Sequence, residues 1–429
     1  MKALLFKLRS DPRIRNSLWM LIEKSISLFG LIFIVSAVAK YTGPSIYGEI
    51  SLAASIFIVL KTAAQLGLDQ IFFKYVSASK PYYNIFLINS IKIVSLLYVF
   101  ISLVVIIMSY FFSSYTGLCF IIATAIGYYF NSIDLVNYYN EAKLLSKINV
   151  FANIIGLVVA LFARYVIVWL KLNFLYLCFP IIIMTFIPFC MKYYFYRTEH
   201  SFKSGFYKNN NFEKYSKYIF LNGIPLTFSI LAIALNTQVA NYFLAYLDGT
   251  KSVAIYSVAF ILAGAWCIVP TTLIMSYMTT IYNTNDFKDY IISASNLLKI
   301  VVTISVVILF FLYVLGGCVI DFLYGEDYSE SIFIFKILIF MQFFWVINFY
   351  FSRLVVKYNG YKFLAYKSTI CCLLNIIIMY FLVVKYSVLG AALALLISEF
   401  ISMIVNLVYK RANIPMIIGR SMILKRENT

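Results

Sequence analysis

Long apolar stretches dominate this chain. They run on in blocks of about 20 residues, cut by brief charged interruptions. A block of that length is what an α-helix needs to cross the roughly 30 Å hydrocarbon core of a bilayer. The blocks fall at 18–39, 47–68, 85–112, 117–140, 148–170 and 174–195, then at 217–245, 252–283, 290–315, 332–356, 363–384 and 388–409. Segments of alternating polarity, the mark of a membrane β-barrel, are absent. With no water inside the bilayer to satisfy backbone groups, the blocks must be helical. The pattern predicts an all-α polytopic membrane protein with about 12 transmembrane helices.

The longest polar interruption is a basic strap from Lys192 to Lys217, holding Lys192, Arg197, Lys203, Lys208, Lys214 and Lys217 against Glu199 and Glu213. It separates two sets of six blocks. The expected organisation is an N-tail (1–17), an N-lobe of spans one to six (18–195), a basic linker (196–216), a C-lobe of spans seven to twelve (217–409) and a C-tail (410–429). Both tails are basic, with Lys2, Lys7, Arg9, Arg13 and Arg15 at one end and Lys410, Arg411, Arg420, Lys425 and Arg426 at the other. The even-numbered loops add Lys74, Lys80, Lys143, Lys147, Lys288, Lys357 and Lys362. The odd-numbered loops hold only Lys40, Lys171, Lys251 and Lys385, and the one around Asp321, Glu326, Asp327 and Glu330 is acidic. Lysine and arginine stay on the cytoplasmic side, so both termini are expected there. The halves also echo one another. At an offset of 206 residues Asn16 falls on Asn222, Gly43 on Gly249, Ser51 on Ser257 and Ala53 on Ala259. Six helices per half make these parallel repeats, and such a pair of lobes is expected to enclose a cavity.

Composition narrows the class further. Of 429 residues 63% are hydrophobic and 12% charged, too little charge to coat a soluble protein of this size. The net charge of +18 reads as cytoplasmic loops rather than a nucleic-acid surface. The seven cysteines lie in or beside apolar blocks with no CxxC pair, and His200 stands alone in the strap. No metal site, cofactor or histidine-based catalysis is expected. The N-terminal basic residues followed by an apolar run ending Ala37-Val38-Ala39 mimic a signal peptide. That run is longer than a usual signal core and carries Glu23 and Lys24, so it is read as a retained first span.

Charges inside the blocks are the candidate functional groups. The basic ones are Lys24, Lys61, Lys92, Arg164, Lys299, Lys336, Arg353 and Lys367; the acids are Glu23, Asp134, Glu399 and, at an edge, Asp69. A charge at mid-bilayer costs roughly 2.5–3.5 kcal/mol on insertion scales, so each must snorkel, pair or face water. Lys336, Arg353 and Lys367 lie near block ends, where snorkelling is expected. Lys24, Lys61, Lys92, Arg164 and Lys299 lie deeper, and a path lined by more cations than anions favours an anionic cargo. Lysine holds phosphate as a point charge, which suits a phosphate-bearing headgroup that must be released. Asp134 and Glu399 are either ion-coupling carboxylates or members of interhelical ion pairs. Pro225 and Pro270 interrupt spans seven and eight and are candidate hinges. The aromatic clusters, among them Tyr110-Phe111-Phe112, Tyr138-Tyr139 and Tyr193 to Tyr196, are expected in interfacial belts.

Several stretches resemble the polysaccharide-unit flippases (Wzx-type O-antigen transporters) of the MATE-like MOP superfamily. They are Asn16-Ser17-Leu18-Trp19 with Glu23; Ala39-Lys40-Tyr41-Thr42-Gly43-Pro44 leading to Tyr47-Gly48; and Gly67-Leu68-Asp69-Gln70 with Lys74. In the second half they are Ile255-Tyr256-Ser257-Val258-Ala259, Phe322 to Tyr328, and Gly390-Ala391-Ala392 with Glu399. The resemblance implies a MATE-like fold of two six-helix lobes in the bacterial inner membrane. It also implies alternating access that carries an undecaprenyl-diphosphate-linked glycan, an O-antigen or capsule unit, across the bilayer. A polysaccharide polymerase and a chain-length regulator are the partners such a flippase would serve. A MATE-type drug antiporter shares the expected fold, but usually handles organic cations. A membrane polymerase or ligase would carry a large outer loop with catalytic arginines, and none is present here.

Overall fold

The computed structural model describes residues 12–78, 83–199, 212–284 and 286–422. Most of the basic N-tail, His200, Lys203 and Lys208 of the strap, and the end of the C-tail lie outside the described residues. Among the described residues every regular element is helical. In chain order these are α1 (Pro12–Gln65), α2 (Leu68–Ser77), α3 (Tyr83–Phe112), α4 (Tyr115–Ile133), α5 (Val136–Ala142), α6 (Ser146–Trp169) and α7 (Cys178–Glu199). They continue with α8 (Phe212–Leu247), α9 (Thr250–Ala265), α10 (Ile268–Asn283), α11 (Phe287–Tyr324), α12 (Glu330–Lys357), α13 (Tyr361–Val405) and α14 (Ile414–Met422).

Nine of the described helices are long and apolar enough to cross a membrane, or ten if the pair α9 and α10, bent by 43°, is taken as one span. Two helices are broken inside, α1 at Gly43 and α13 at Ser387. Divided at those breaks, the helices match the twelve expected blocks one for one, with α4 plus α5 and α9 plus α10 each filling one block. The short α2 and α14 are additions that periodicity did not single out. The surface is what a bilayer demands. Leu96, Phe100, Ile107 and Phe111 on α3, and Phe310, Phe311 and Val314 on α11, point outward. Tyr110, Phe111 and Phe112 are exposed as expected of an interfacial belt, whereas Tyr139 and Tyr196 are buried and meet edge to face at 5.0 Å.

The chain forms two compact units, residues 1–238 and 239–429, with the division inside α8 rather than in the strap. A physical reason is visible in the first unit. The elbow at Leu66–Gly67, where α1 gives way to α2, presses on α8 so closely that a Cβ on Gly223 would strike the Leu66 carbonyl. The beginning of α8 is thereby packed into the first unit. Lys192, assigned to the strap from sequence, is also placed differently. It lies inside α7 and is buried, because α7 runs on to Glu199 before the chain leaves the described helix.

The internal repeat has a backbone counterpart. Gly43 (φ 74°, ψ 170°) and Gly249 (φ 89°, ψ 178°), equivalent by the offset of 206, share one left-handed extended conformation at the start of a helix. Ala53 and Ala259, equivalent by the same offset, are both fully buried. That region of backbone space is essentially closed to residues with a Cβ. A Cβ on Gly43 or Gly249 would meet no atom within 4 Å, so replacement is penalised through the backbone alone. Gly43→Ala and Gly249→Ala should each destabilise by about 1–3 kcal/mol, read as a lower unfolding midpoint in detergent. Gly419→Ala, in α14 with open space and no unusual φ, should leave the midpoint unchanged or slightly raised.

Candidate functional site

Asparagines surround the buried charges of both units. In the first unit α4 stops at Ile133 because Asp134 (φ −74°, ψ 61°) leaves helical space, and α5 resumes at Val136. The dihedrals are those of an inverse γ-turn, closed by the Leu135 N–H donating to the Ile133 carbonyl at 2.8 Å. Asp134 therefore sits at a break within an apolar span. Its Oδ2 accepts from Lys192 Nζ at 2.7 Å, the two side chains being 13% and 4% exposed. Lys192 donates a second hydrogen bond to Asn137 Oδ1 at 3.0 Å, and Asn137 Nδ2 donates to Glu141 Oε1 at 2.8 Å. Asn149 Nδ2 donates to the Asn137 carbonyl at 2.8 Å, and Asn140 Nδ2 to Asn149 Oδ1 at 2.7 Å. Asp134 Oδ1 has no hydrogen-bond partner among the described residues.

Two cavities adjoin this cluster. One of about 180 Å³ is lined by Lys61, Asn131, Asp134, Asn137, Asn153 and Lys192, among others. The second, of about 280 Å³, is lined by Ile58, Lys61, Thr62, Gln65, Gly67, Asp69, Tyr128, Asn131 and Ile230. Lys61 and Asn131 border both cavities, and Lys61 Nζ donates to Asn131 Oδ1 at 2.5 Å. Asp69, in the first turn of α2, is half-buried. Its desolvation raises the carboxyl above its ordinary value, opposed by the Gln70 N–H and by Lys61.

The second unit holds a cluster centred on Asn348. Its Oδ1 accepts from Lys367 Nζ at 2.6 Å and from Asn406 Nδ2 at 2.8 Å. Its Nδ2 donates to Glu399 Oε2 at 3.1 Å and to Ser402 Oγ at 3.0 Å. Lys367 also donates to Asn406 Oδ1 at 3.0 Å. One amide thus uses both of its hydrogens and both lone pairs to join a buried ammonium to a buried carboxylate. Lys367 is 6% exposed and Glu399 8%. The expected snorkelling of Lys367 is therefore corrected. Asn348 and Asn406 satisfy its charge internally, which makes the reach to the headgroups unnecessary. Lys336 and Arg353 are partly exposed and lie over the Tyr313 and Phe349 rings at 5.1 and 4.7 Å.

The other sequence candidates are dispersed. Lys24 and Lys92 are exposed, on α1 and α3. Arg164, partly buried on α6, interacts electrostatically with the Tyr47 phenol. Lys299 borders an apolar cavity of about 460 Å³ between α11, α12, α13 and α14. Glu23 accepts from Asn153 Nδ2 at 2.7 Å. Pro225 lies within α8, which continues through it, and Pro270 lies in the first turn of α10, just after the bend that follows α9. Among the described residues no three His, Cys, Asp or Glu side chains are grouped to hold a metal ion. The residues missed from sequence are mostly amides, namely Asn131, Asn137, Asn149, Asn153, Asn348 and Asn406. Their recurrence inside apolar blocks was the available signal.

A model of the polysaccharide biosynthesis protein family matches residues 14–282, more than half of the chain. The chain belongs to that family. It is 28% identical over 200 residues to the capsular polysaccharide biosynthesis protein CapF of Staphylococcus aureus. The alignment covers 46% of this chain and 50% of CapF, so the chain spans about half the length of the curated relative it matches. Among solved structures it is similar to the lipid II flippase MurJ in an inward closed conformation, with a TM-score of 0.70 at 19% identity over 95% of this chain and 91% of that one. It is also similar to a MOP superfamily transporter from Pyrococcus furiosus described as having a binding pocket of reversed polarity. That match has a TM-score of 0.58 at 15% identity, over 96% of this chain and 97% of the other. A multidrug resistance MATE family transporter matches at a TM-score of 0.56 and 15% identity, over 94% and 96%. The fold is shared with the lipid II flippase MurJ and the MATE transporters. With the family match, it bears out the resemblance to polysaccharide-unit flippases read from the sequence motifs.

The cluster around Asp134 supplies a stability test. Lys192→Met leaves a buried carboxylate unpaired and should cost about 3–5 kcal/mol, read as a fall in the unfolding midpoint in detergent. Adding Asp134→Asn to that variant should restore much of the loss, since the uncompensated charge is then gone. In the second unit, Asn348→Ala strands four polar groups at once and should destabilise more than Lys336→Ala, whose partner is a ring face.

Proposed function

We propose that this protein is a flippase. It carries undecaprenyl-diphosphate-linked oligosaccharide repeat units, of an O-antigen or a capsule, from the cytoplasmic to the periplasmic leaflet of the bacterial inner membrane. The match to the polysaccharide biosynthesis protein family carries this reading. The polar clusters and cavities within apolar helices support it, because a charged and sugar-bearing headgroup needs hydrated space to cross hydrocarbon.

Transport is by alternating access of two six-helix lobes, residues 18–195 and 217–409, with both termini cytoplasmic. Pro225 and Pro270 serve as hinges. Lys24, Lys61, Lys92, Arg164 and Lys299 are the cations offered to the cargo headgroup along its path. Asp134 and Glu399 are the carboxylates available for ion coupling, each already bonded to a group whose rearrangement would release it. The chain is a transporter without a catalytic centre, and the polymerase and chain-length regulator act on what it delivers.

Deletion with complementation tests the reading. Loss of surface polysaccharide, with single lipid-linked units retained on the cytoplasmic leaflet, is the expected phenotype, and the wild-type gene should restore it. Lys61→Met and Lys299→Met should each fail to restore it fully while the protein is still present in the membrane. A cation-coupled drug antiporter is the second reading, favoured by the carboxylates near Lys61 and Lys192. It requires efflux of a fluorescent organic cation from cells expressing the protein, with surface polysaccharide unaffected by deletion.

A further inference from the structure

The 280 Å³ cavity in the first unit has a wall of unusual composition for the interior of a membrane protein. Lys61 and Asp69 both line it, yet no ion pair closes between them among the described residues. Lys61 spends one of its three hydrogens on Asn131. Thr62 Oγ1 donates to the Ile58 carbonyl and keeps its lone pairs, and Gln65 Nε2 donates to the Ser132 carbonyl at 3.1 Å. Tyr128, on the same wall, is held in place by stacking on the buried Phe57, with ring centroids 6.5 Å apart.

Three ligand classes can be weighed against that wall. A phosphate would meet Lys61 favourably but would face the Asp69 carboxylate. An organic cation would meet Asp69 but face Lys61. A neutral ligand with several hydroxyls uses both, donating to the carboxylate and accepting from the ammonium, with no net charge to oppose either. The C–H face of a sugar ring also fits the electron-rich face of an aromatic side chain such as Tyr128. The volume lies just below the range of about 300–1,000 Å³ typical of small-molecule sites, which is room for one sugar ring.

We propose that this cavity is a glycan subsite that takes one pyranose ring of the cargo. Asp69 and Lys61 hold its hydroxyls and Tyr128 packs on its face. The inference rests on the flippase reading and narrows the part of Lys61 from headgroup phosphate to sugar. Asp69 keeps the diphosphate outside the cavity and so sets the register of the cargo.

The test needs no transport. In the full-length protein in detergent, Thr62→Cys places a thiol on the cavity wall, and its maleimide labelling is followed by mass spectrometry of that peptide. Methyl glycosides of glucose, galactose and N-acetylglucosamine serve as probes, beside inorganic pyrophosphate, ethidium and the zwitterion serine. At least one glycoside should slow labelling, and the other three probes should not. Asp69→Asn and Tyr128→Leu, each with a wild-type elution profile, should raise the glycoside concentration needed by about tenfold, the worth of one hydrogen bond to a charged group for the first and of one aromatic face for the second. Protection by pyrophosphate or serine instead, or by no probe, overturns the subsite and leaves the flippase reading standing. Protection by ethidium alone overturns both.

Discussion

A polar group inside a bilayer has no water to fall back on, so it must find its partners within the protein. That constraint organises both halves of this molecule. Each unit buries lysines and carboxylates in unequal geometry, and asparagine makes up the difference. The amide of Asn348 turns one face to Lys367 and the other to Glu399, so two charges need not touch to be satisfied. Asn137 does the same between Lys192 and Glu141. An amide carries donors and acceptors but no charge, which lets it join opposite ions without adding a desolvation cost of the same size. The helices are then free to be apolar on the outside, and the exposed phenylalanines and leucines of α3 and α11 follow.

Helix breaks supply the second ingredient. A continuous helix presents side chains on a fixed spiral and satisfies its own backbone, so it gives little latitude in aiming a charged group. The γ-turn at Asp134 interrupts α4 and α5 and brings its carboxylate to Lys192 of α7. The elbow at Leu66–Gly67 opens α2, whose first turn presents Asp69 to the cavity that Lys61 also lines. The left-handed glycines Gly43 and Gly249 turn the chain at equivalent points of the two repeats. Each break is tolerated where side chains and neighbouring helices take over its backbone groups.

Much of this was legible from sequence because the bilayer writes a strong signal. Block length gives the spans, and among the described residues the short α2 and α14 are helices too brief to register as blocks. The Gly43–Gly249 correspondence was visible as a sparse identity and became firm once both showed the same backbone angles. The sites were less legible. Depth along a helix separates the end of a span from its middle, but not a lipid-facing side from an inward one. Depth alone therefore places the exposed Lys24, Lys92 and Lys299 in one group with the partly buried Lys61, and sends the buried Lys367 to the headgroups. Lys192 falls both within the block 174–195 and at the head of the basic strap, and its charge counts with the strap until α7 is seen to continue to Glu199. The asparagines that hold these charges carry no formal charge, and a count of lysines and acids passes over them.

The pair formed by Asp134 and Lys192 also bears on how the chain enters the membrane. Asp134 precedes Lys192 in synthesis, so the segment holding the acid is delivered first. A lone lysine in a departing segment would raise the cost of its release into lipid by roughly 2.5–3.5 kcal/mol. A carboxylate already waiting beside the exit offsets part of that cost, provided the earlier segments have not yet drifted away. Biogenesis of the first unit is therefore expected to be sequential and retentive, with early segments held near the translocon until α7 arrives.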